Sequence, residues 1–378
     1  MSRHVCIVTG SRAEYGLLEP VMRAVAADAR LELSIIVCGA HLLPPTNTGR
    51  EVDAAWGSAV IAHVPMQNPG ESRRLDDAAA LGWGITGIAH VLSHHTPEWV
   101  IVLGDRVEAL AGAAAAAIGG IAVAHLHGGD RAEGVADESM RHAITKLAHL
   151  HLPATPASAE RIIRMGEPPA TVHVVGSPAI DPLSAIAPAG DALWNSLGAP
   201  DTMLLLHPVG DTDDFEAARM TSVCEALQGR RVLWMAPNHD PGREGIIRVG
   251  REKASRAGWT SRDHLPRADF AAAVKRLASS GGIMVGNSSA GLIECAAMGL
   301  PTVDIGERQN GRECPNHALR APSGTAAEIR SAIAGVLKLD RAKFTHPYGD
   351  GRSGERVAKL LATIDPRERS LLRKRCTY

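Results

Sequence analysis

The chain reads as an α/β protein built from two Rossmann-like domains. Three observations predict this. Short, continuously apolar runs of strand length recur through the first half, separated by stretches of helix length. A segment richer in Pro, Ala and Gly, residues 176–200, then breaks the pattern, after which the same alternation restarts. The length, 378 residues, exceeds what a single core usually holds.

Taken in order, residues 5–8 read as the first strand and 17–27 as a helix. A strand at 33–37, a mostly helical stretch at 77–94 and a strand at 100–103 follow. An Ala-rich helix at 107–118 leads to a strand at 121–124, a helix at 139–148 and a short strand at 150–152. A helix at 158–165 and a strand at 172–175 close the first half. In the second half, strands are expected at 203–206, 232–235, 283–285 and 302–305, with helices at 215–227, 242–257, 270–278 and 290–297. Strands without polar alternation, joined by helices, imply parallel sheets covered on both faces. The resulting division is 1–182, 183–353 and a helical tail, 354–378, that packs back on the first domain. In this arrangement the two domains face one cleft.

Composition narrows the function classes. Lys+Arg 40 against Asp+Glu 41 gives a net charge of -1, which disfavours a broad nucleic-acid surface but allows a local basic pocket. The six cysteines form no Cys-x-x-Cys pair, so neither a zinc ribbon nor a disulfide framework is indicated. The amino terminus runs directly into a strand with no signal peptide, and 109–124 is broken by Gly119-Gly120. A reduced, cytoplasmic protein without a membrane span is expected.

The chemistry-bearing residues follow strand ends, where ligands bind in open parallel sheets. The strand at 100–103 ends on Gly104-Asp105-Arg106, and the next on His125-Leu126-His127-Gly128-Gly129-Asp130. A polar turn with Asp137 and Glu138 then enters a helix carrying Arg141 and His142. Several carboxylates at one sheet edge suggest proton transfer. His125, His127 and Asp130 could suggest a metal, but the two histidines share a face only if the strand continues through Gly128, and no metal site is expected. Thr9-Gly10-Ser11-Arg12 lies between the first strand and helix, where Arg12 is either an anion contact or a surface side chain. Gly286-Asn287-Ser288-Ser289-Ala290-Gly291 is a stronger anion signal, with two hydroxyls at a helix start, and Glu294 lies on the same helix. Arg308 and Arg312, in a Gly-containing loop after another strand, suit a diphosphate or a base edge. His207 ends the first strand of the second half, and Asn238, His239 and Asp240 follow the second.

Together these segments resemble the hydrolysing UDP-N-acetylglucosamine 2-epimerases of sialic-acid-type aminosugar biosynthesis. The resemblance rests on Thr9 to Leu18, Gly104-Asp105-Arg106, His127 to Asp130, Asp137-Glu138 and Arg141 to Leu147. It continues through His207-Pro208-Val209, Pro237-Asn238, Val285 to Gly291 and Arg308 to Arg312. It implies a glycosyltransferase-B-like fold, a homodimer or tetramer, a UDP-sugar substrate, and no nicotinamide or metal cofactor. It also implies a reaction in which C2 loses a proton as UDP leaves C1, giving a glycal to which water adds.

By the resemblance, Asp105 is a catalytic or sugar-positioning aspartate and Asp137 a second catalytic acid. Arg12, His207, Ser288, Ser289 and Arg312 match diphosphate contacts, Glu294 the ribose ligand, and Arg106 and Asn238 sugar-side residues. Two positions depart from the pattern: some relatives carry glutamate at His127, and many carry it at Asp130. Either His127 acts as the acid-base group, or Asp130 and Glu138 share that duty, or the substrate differs. Non-hydrolysing epimerisation to UDP-ManNAc and a UDP-2,4-diacetamido sugar substrate are near alternatives. A glycosyltransferase of the same architecture is the alternative of another class, although it would not need three acid-bearing segments in the first domain.

Overall fold

The structure, a computed structural model, describes residues 2–44, 47–70, 74–131, 138–238, 240–375 and 377. Its strands form two parallel sheets. The first contains β1 (Arg3–Thr9), β2 (Leu31–Cys38), β3 (Val60–Val64), β4 (Trp99–Leu103), β5 (Ala122–Leu126) and β6 (Leu150–Leu152). They run in the order β3-β2-β1-β4-β5-β6. The second contains β7 (Thr202–Leu205), β8 (Val232–Met235), β9 (Thr260–Arg262), β10 (Ile283–Gly286), β11 (Thr302–Ile305) and β12 (Ala318–Ala321), ordered β12-β11-β10-β7-β8-β9. Both orders reverse beside the first strand of the sheet, between β1 and β4 and between β7 and β10. That is the doubly wound Rossmann topology, a class in which ligands bind outside the carboxyl ends of the central strands.

The central strands are largely apolar because each sheet is covered on both faces. Alternate residues of β1 and β4 enter different cores: Val5, Ile7, Trp99 and Ile101 one, Cys6, Val8, Val100 and Val102 the other. In the second sheet Leu204 and Trp234 face one core, Met203 and Leu233 the other. The Ala-rich helix Val107–Ile118 can lie close to its sheet because it has small residues. A Cβ added at Gly112 would sit 3.2 Å from both Val8 and Val102. Among the described residues, no helix is long and apolar enough to cross a membrane.

The chain forms two compact units, one of Met1–Asp130, Asp137–Asp181 and Tyr348–Tyr378, the other of Arg131–Ala136 and Pro182–Pro347. The helix Ser353–Thr363 belongs to the first, where Val357, Ala358 and Leu361 pack with Leu18, Val21 and Val25 of the helix Arg12–Ala27. Asp181 caps it, accepting from the amides of Ser353 (3.0 Å) and Gly354 (2.7 Å).

Several local expectations change. Residues 172–175 do not form a strand: they run beside β6 with one isolated bridge, His151 to Val172, and backbone hydrogen bonds from His173 to His151 (2.9 Å) and from Val175 to Pro153 (3.1 Å). The expected helix at 290–297 breaks at Ile293 into Ser289–Leu292 and Glu294–Ala297. The tail helix stops at Thr363, before Pro366, and only Arg369–Leu372 becomes helical again. The edge strands β3, β9 and β12 and the helices Gly49–Trp56 and Ala326–Val336 are additional elements.

Candidate active site

In the first unit, the carboxyl ends of β1, β4 and β5 carry a set of acidic side chains. β4 ends at Leu103, and Gly104, at φ +77°, turns the chain so that Asp105 and Arg106 precede the helix Val107–Ile118. His125 fixes this turn. It is fully buried, and its Nε2 donates to the Gly104 carbonyl at 2.8 Å. Burial pushes its pKa down to about 3, so the ring is neutral at physiological pH.

Arg141 draws three segments together. Its guanidinium pairs with Asp105, lies 3.8 Å from Glu138 Oε2, and donates to the His127 carbonyl at 3.5 Å. Glu138 and Arg141 share one face of the helix Glu138–Leu147 because they are three residues apart. Arg141 is almost wholly buried, whereas Asp105 and Glu138 keep about a fifth of their side-chain surface in solvent. A buried cation thus holds two partly open carboxylates at the sheet edge. Asp137, the other acid anticipated there, lies outside the described residues.

His127 and Asp130 form a separate buried pair. His127 adopts φ +59°, a left-handed conformation unusual for a residue with a Cβ, and its neighbours must hold it there. Nδ1 donates to Asp130 Oδ2 at 2.9 Å, and Nε2 lies 3.0 Å from Ser177 Oγ. The Ser158 hydroxyl donates to Asp130 Oδ1 at 2.8 Å. Both ring nitrogens of His127 and both oxygens of Asp130 are therefore engaged, and His125 and His127 make different hydrogen bonds instead of converging.

Arg12 opens the helix Arg12–Ala27, capped by Ser11, and meets Glu51 at 3.3 Å with both side chains well exposed. A pair so hydrated is weak. Arg106 Nε lies 3.7 Å from Glu108 Oε2.

In the second unit the reversal between β7 and β10 is clamped by one amide. Asn287, fully buried, accepts from the His207 amide at 2.7 Å and donates to the His207 carbonyl at 2.8 Å. The strands can meet there because Gly286 has no side chain: a Cβ would stand 2.0 Å from the Leu205 carbonyl oxygen. The Asn238 amide donates to His207 Nδ1 at 3.1 Å, which leaves Nε2 as the protonated nitrogen. Burial, then the Arg308 charge, pushes the His207 pKa down to about 3.

Around this clamp lie Ser288, Ser289 and a basic loop. Ser288 caps the short helix Ser289–Leu292. The Asn287 carbonyl accepts from Gln309 Nε2 at 3.0 Å and Arg308 at 3.4 Å. Arg308 also faces Asp240 at 3.8 Å, and the Asn238 side-chain amide donates to the same carboxylate. Arg320 donates to the carbonyls of Gln309 (3.3 Å) and Arg312 (3.2 Å), holding the loop that bears Arg312. Buried Asp304 on β11 lies 3.8 Å from Arg320. Desolvation raises its pKa to about 6 against the pull of Arg320, Arg312 and Arg308. Glu294, nearly buried, meets Arg267 at 3.4 Å. His239 lies outside the described residues.

A family model described as UDP-N-acetylglucosamine 2-epimerase matches residues 23–362. The chain belongs to that family. Among individual members, the UDP-N,N'-diacetylbacillosamine 2-epimerase (hydrolyzing) of Legionella pneumophila is 36% identical, with all of both chains covered. The UDP-N-acetylglucosamine 2-epimerase of Neisseria meningitidis is 31% identical over 96% of this chain and 95% of its own. The crystal structure of the Methanocaldococcus jannaschii UDP-GlcNAc 2-epimerase in complex with UDP-GlcNAc and UDP superposes with a TM-score of 0.78 at 18% identity, covering 95% of this chain and 99% of that one. That likeness establishes the shared fold.

Against the family pattern, Asp105 and Glu138 come together through Arg141, and His127 and Asp130 through their own hydrogen bond. His207, Asn238, Ser288 and Arg308 gather around Asn287. Four residues with clear structural work were not singled out from sequence as site residues: Arg141, Asn287, Asp304 and Arg320. The available signal was position, since Arg141 and Asn287 lie inside the motifs quoted above.

Proposed function

We propose that the protein is a hydrolysing 2-epimerase that acts on a UDP-linked 2-acetamido sugar and releases UDP and the C2-inverted free sugar. The observation that carries this reading is full-length 36% identity to a relative named as a hydrolysing UDP-sugar 2-epimerase. The first unit contributes the acid-base groups. Asp105 faces C2 or the leaving oxygen, with Glu138 and Asp137 completing the proton transfers. A C2 hydrogen next to an acetamido group is weakly acidic, so its removal is coupled to departure of UDP from C1. Water then adds to C1 of the glycal as a proton returns to the opposite face of C2. An elimination and addition of this kind needs no redox partner.

The second unit contributes the diphosphate contacts: Nε2–H of neutral His207, the hydroxyls of Ser288 and Ser289, and the cations Arg308 and Arg312. Arg12 adds a further cation, Arg106 and Asn238 face the sugar, and Glu294 accepts from the ribose. His127 acts through Asp130, holding its carboxylate instead of transferring a proton. The protein works as a cytoplasmic homo-oligomer.

For the sugar, UDP-GlcNAc is the default, and UDP-N,N'-diacetylbacillosamine is the second reading because the Legionella relative is named for it. Incubating each nucleotide sugar in deuterated water and following products by NMR separates them. Deuterium at C2 of a released free sugar, together with free UDP, is expected from one. UDP-linked epimer would mean non-hydrolysing chemistry, transfer without C2 exchange would mean a glycosyltransferase, and no C2 deuterium from either sugar refutes the proposal.

A further inference from the structure

Two buried carboxyl groups of the first unit have no role in the reading above. Glu14 lies in the first turn of the helix Arg12–Ala27 and Glu108 in the first turn of the helix Val107–Ile118, and both are buried. The Gly10 amide donates to Glu14 Oε2 at 3.0 Å, and the Ala40 amide to Glu108 Oε1 at 3.3 Å. The remaining oxygens, Glu14 Oε1 and Glu108 Oε2, are buried without a hydrogen-bond partner among the described residues. Arg106 Nε stands 3.7 Å from Glu108 Oε2. The Glu108 side chain also fills the space beside two glycines: a Cβ at Gly10 would lie 2.3 Å from its Cγ, and one at Gly39 2.4 Å. One side chain is therefore wedged against the turns that follow β1 and β2, and its own helix starts directly after Asp105-Arg106.

The charges acting on Glu14 are Glu108, Arg106 and Asp105, while Cys38, buried nearby, feels both glutamates. Desolvation, then Glu108, raises the Glu14 pKa to about 8, with the Gly10 amide and Arg106 opposing and Asp105 adding to the rise. Two like charges buried together do not both ionise readily, and one proton relieves the pair.

We propose that Glu14 and Glu108 form a buried carboxyl pair that positions the sugar-side turn: Glu14 holds the turn after β1 through the Gly10 amide, and Glu108, wedged against the turns that follow β1 and β2, seats Arg106 and, through it, the Asp105 turn. This inference rests on the assignment of Asp105 and Arg106 to the sugar site. Both glutamates are positioning residues that do not touch substrate. A carboxyl that remains protonated only in the fold contributes stability fully present below its ordinary pKa, and that contribution is lost as pH rises through about 8.

The test uses Glu14→Gln, which keeps the acceptor for Gly10, and Glu108→Gln, which removes the charge beside Arg106. Infrared spectra of the full-length protein at neutral pH should show a buried, protonated carboxyl band that disappears in Glu14→Gln and persists in Glu108→Gln. Thermal unfolding should show Glu14→Gln gaining on the wild type as pH rises from 6 toward 9, and Glu108→Gln gaining by a smaller amount, since burial alone still raises Glu14. Glu108→Gln should lower kcat/KM by roughly tenfold or more while the Kd for UDP stays within about twofold.

A carboxyl band that survives in Glu14→Gln, or a Tm difference between Glu14→Gln and wild type that is independent of pH, overturns the buried pair. Unchanged kcat/KM in Glu108→Gln overturns its positioning role. The spectroscopic and unfolding results do not require turnover, so failure of the pair is distinguishable from failure of the epimerase reading.

Discussion

Replacing Arg141 with methionine removes a buried cation while keeping much of the stem volume, which isolates the charge. Among the described residues, the guanidinium meets two carboxylates, Asp105 and Glu138, and makes a long bond to the His127 carbonyl. Breaking a fully buried pair costs about 3–5 kcal/mol because the remaining partner is left charged in a poor solvent. Here each stranded carboxylate has 21% of its side chain exposed, so water recovers part of that cost. We expect a loss of about 2 kcal/mol in unfolding free energy, measured by urea titration at pH 7 with circular dichroism.

Turnover should fall more steeply than stability. Without Arg141 the Asp105 carboxylate can leave its reactive orientation, and a misplacement near 1 Å costs up to about 100-fold. The Kd for UDP should stay within about twofold, because Arg141 is not among the proposed diphosphate contacts. Arg141→Lys keeps the charge but not the planar fork, and should fall between wild type and methionine. Stability within about 0.5 kcal/mol of wild type together with unchanged kcat would refute the bridging role.

Asp105→Asn should abolish turnover while leaving UDP affinity within about threefold by calorimetry; equal loss of both would make Asp105 structural. Asn287→Ala removes both bonds across the β7–β10 reversal, and should cost about 2 kcal/mol in chemical unfolding and weaken UDP binding; an unaltered Kd would separate the clamp from the nucleotide site. Arg312→Ala and Ser289→Ala should each raise the Kd for UDP by about tenfold with kcat at saturation less affected, and an unchanged Kd removes the residue from the diphosphate site. Stability should fall as pH drops below about 6.5, since burial depresses His41, His149 and His317 to about 4 and His125 and His207 to about 3. The unfolded chain takes up protons that the fold refuses, and buried His125 alone contributes up to about 1.4 kcal/mol per pH unit. A flat urea midpoint between pH 7 and 5 would contradict this.

The central strands were legible because burial on both faces leaves an unbroken apolar signature, as in Trp99–Leu103 and Val232–Met235. Edge strands carry no such signature. Thr260–Arg262 is polar and becomes a strand only by pairing with β8, whereas the more apolar 172–175 runs beside β6 with a single bridge and is not a strand. The acid-bearing turns were legible for a related reason: a charged residue directly after an apolar strand must lie at the sheet edge. Arg141 and Glu108 were less visible, since a charged helical residue ordinarily reads as solvated and only tertiary packing buries it. The bond from His127 to Ser177 spans 50 residues, a separation at which local pattern carries no information.

The two units use one topology to opposite electrostatic ends, and this accounts for the proposed division of chemistry. At the β1–β4 reversal the close approach is made by Gly10 against a carboxylate side chain, and Glu14, Asp105, Asp130 and Glu138 crowd the same edge. Of these Glu14 is held protonated, burial and then Glu108 raising its pKa to about 8, and the acid-rich edge suits the proton transfers proposed for it. At the β7–β10 reversal a neutral amide, Asn287, makes the close contact, and the charge comes from Arg308, Arg312 and Arg320 around buried Asp304. A neutral clamp leaves those cations less compensated than a carboxylate would, so their field remains available for a diphosphate. Asn287→Asp would test this directly. It preserves shape but adds one negative charge, so UDP affinity should fall further than in Asn287→Ala despite the better packing.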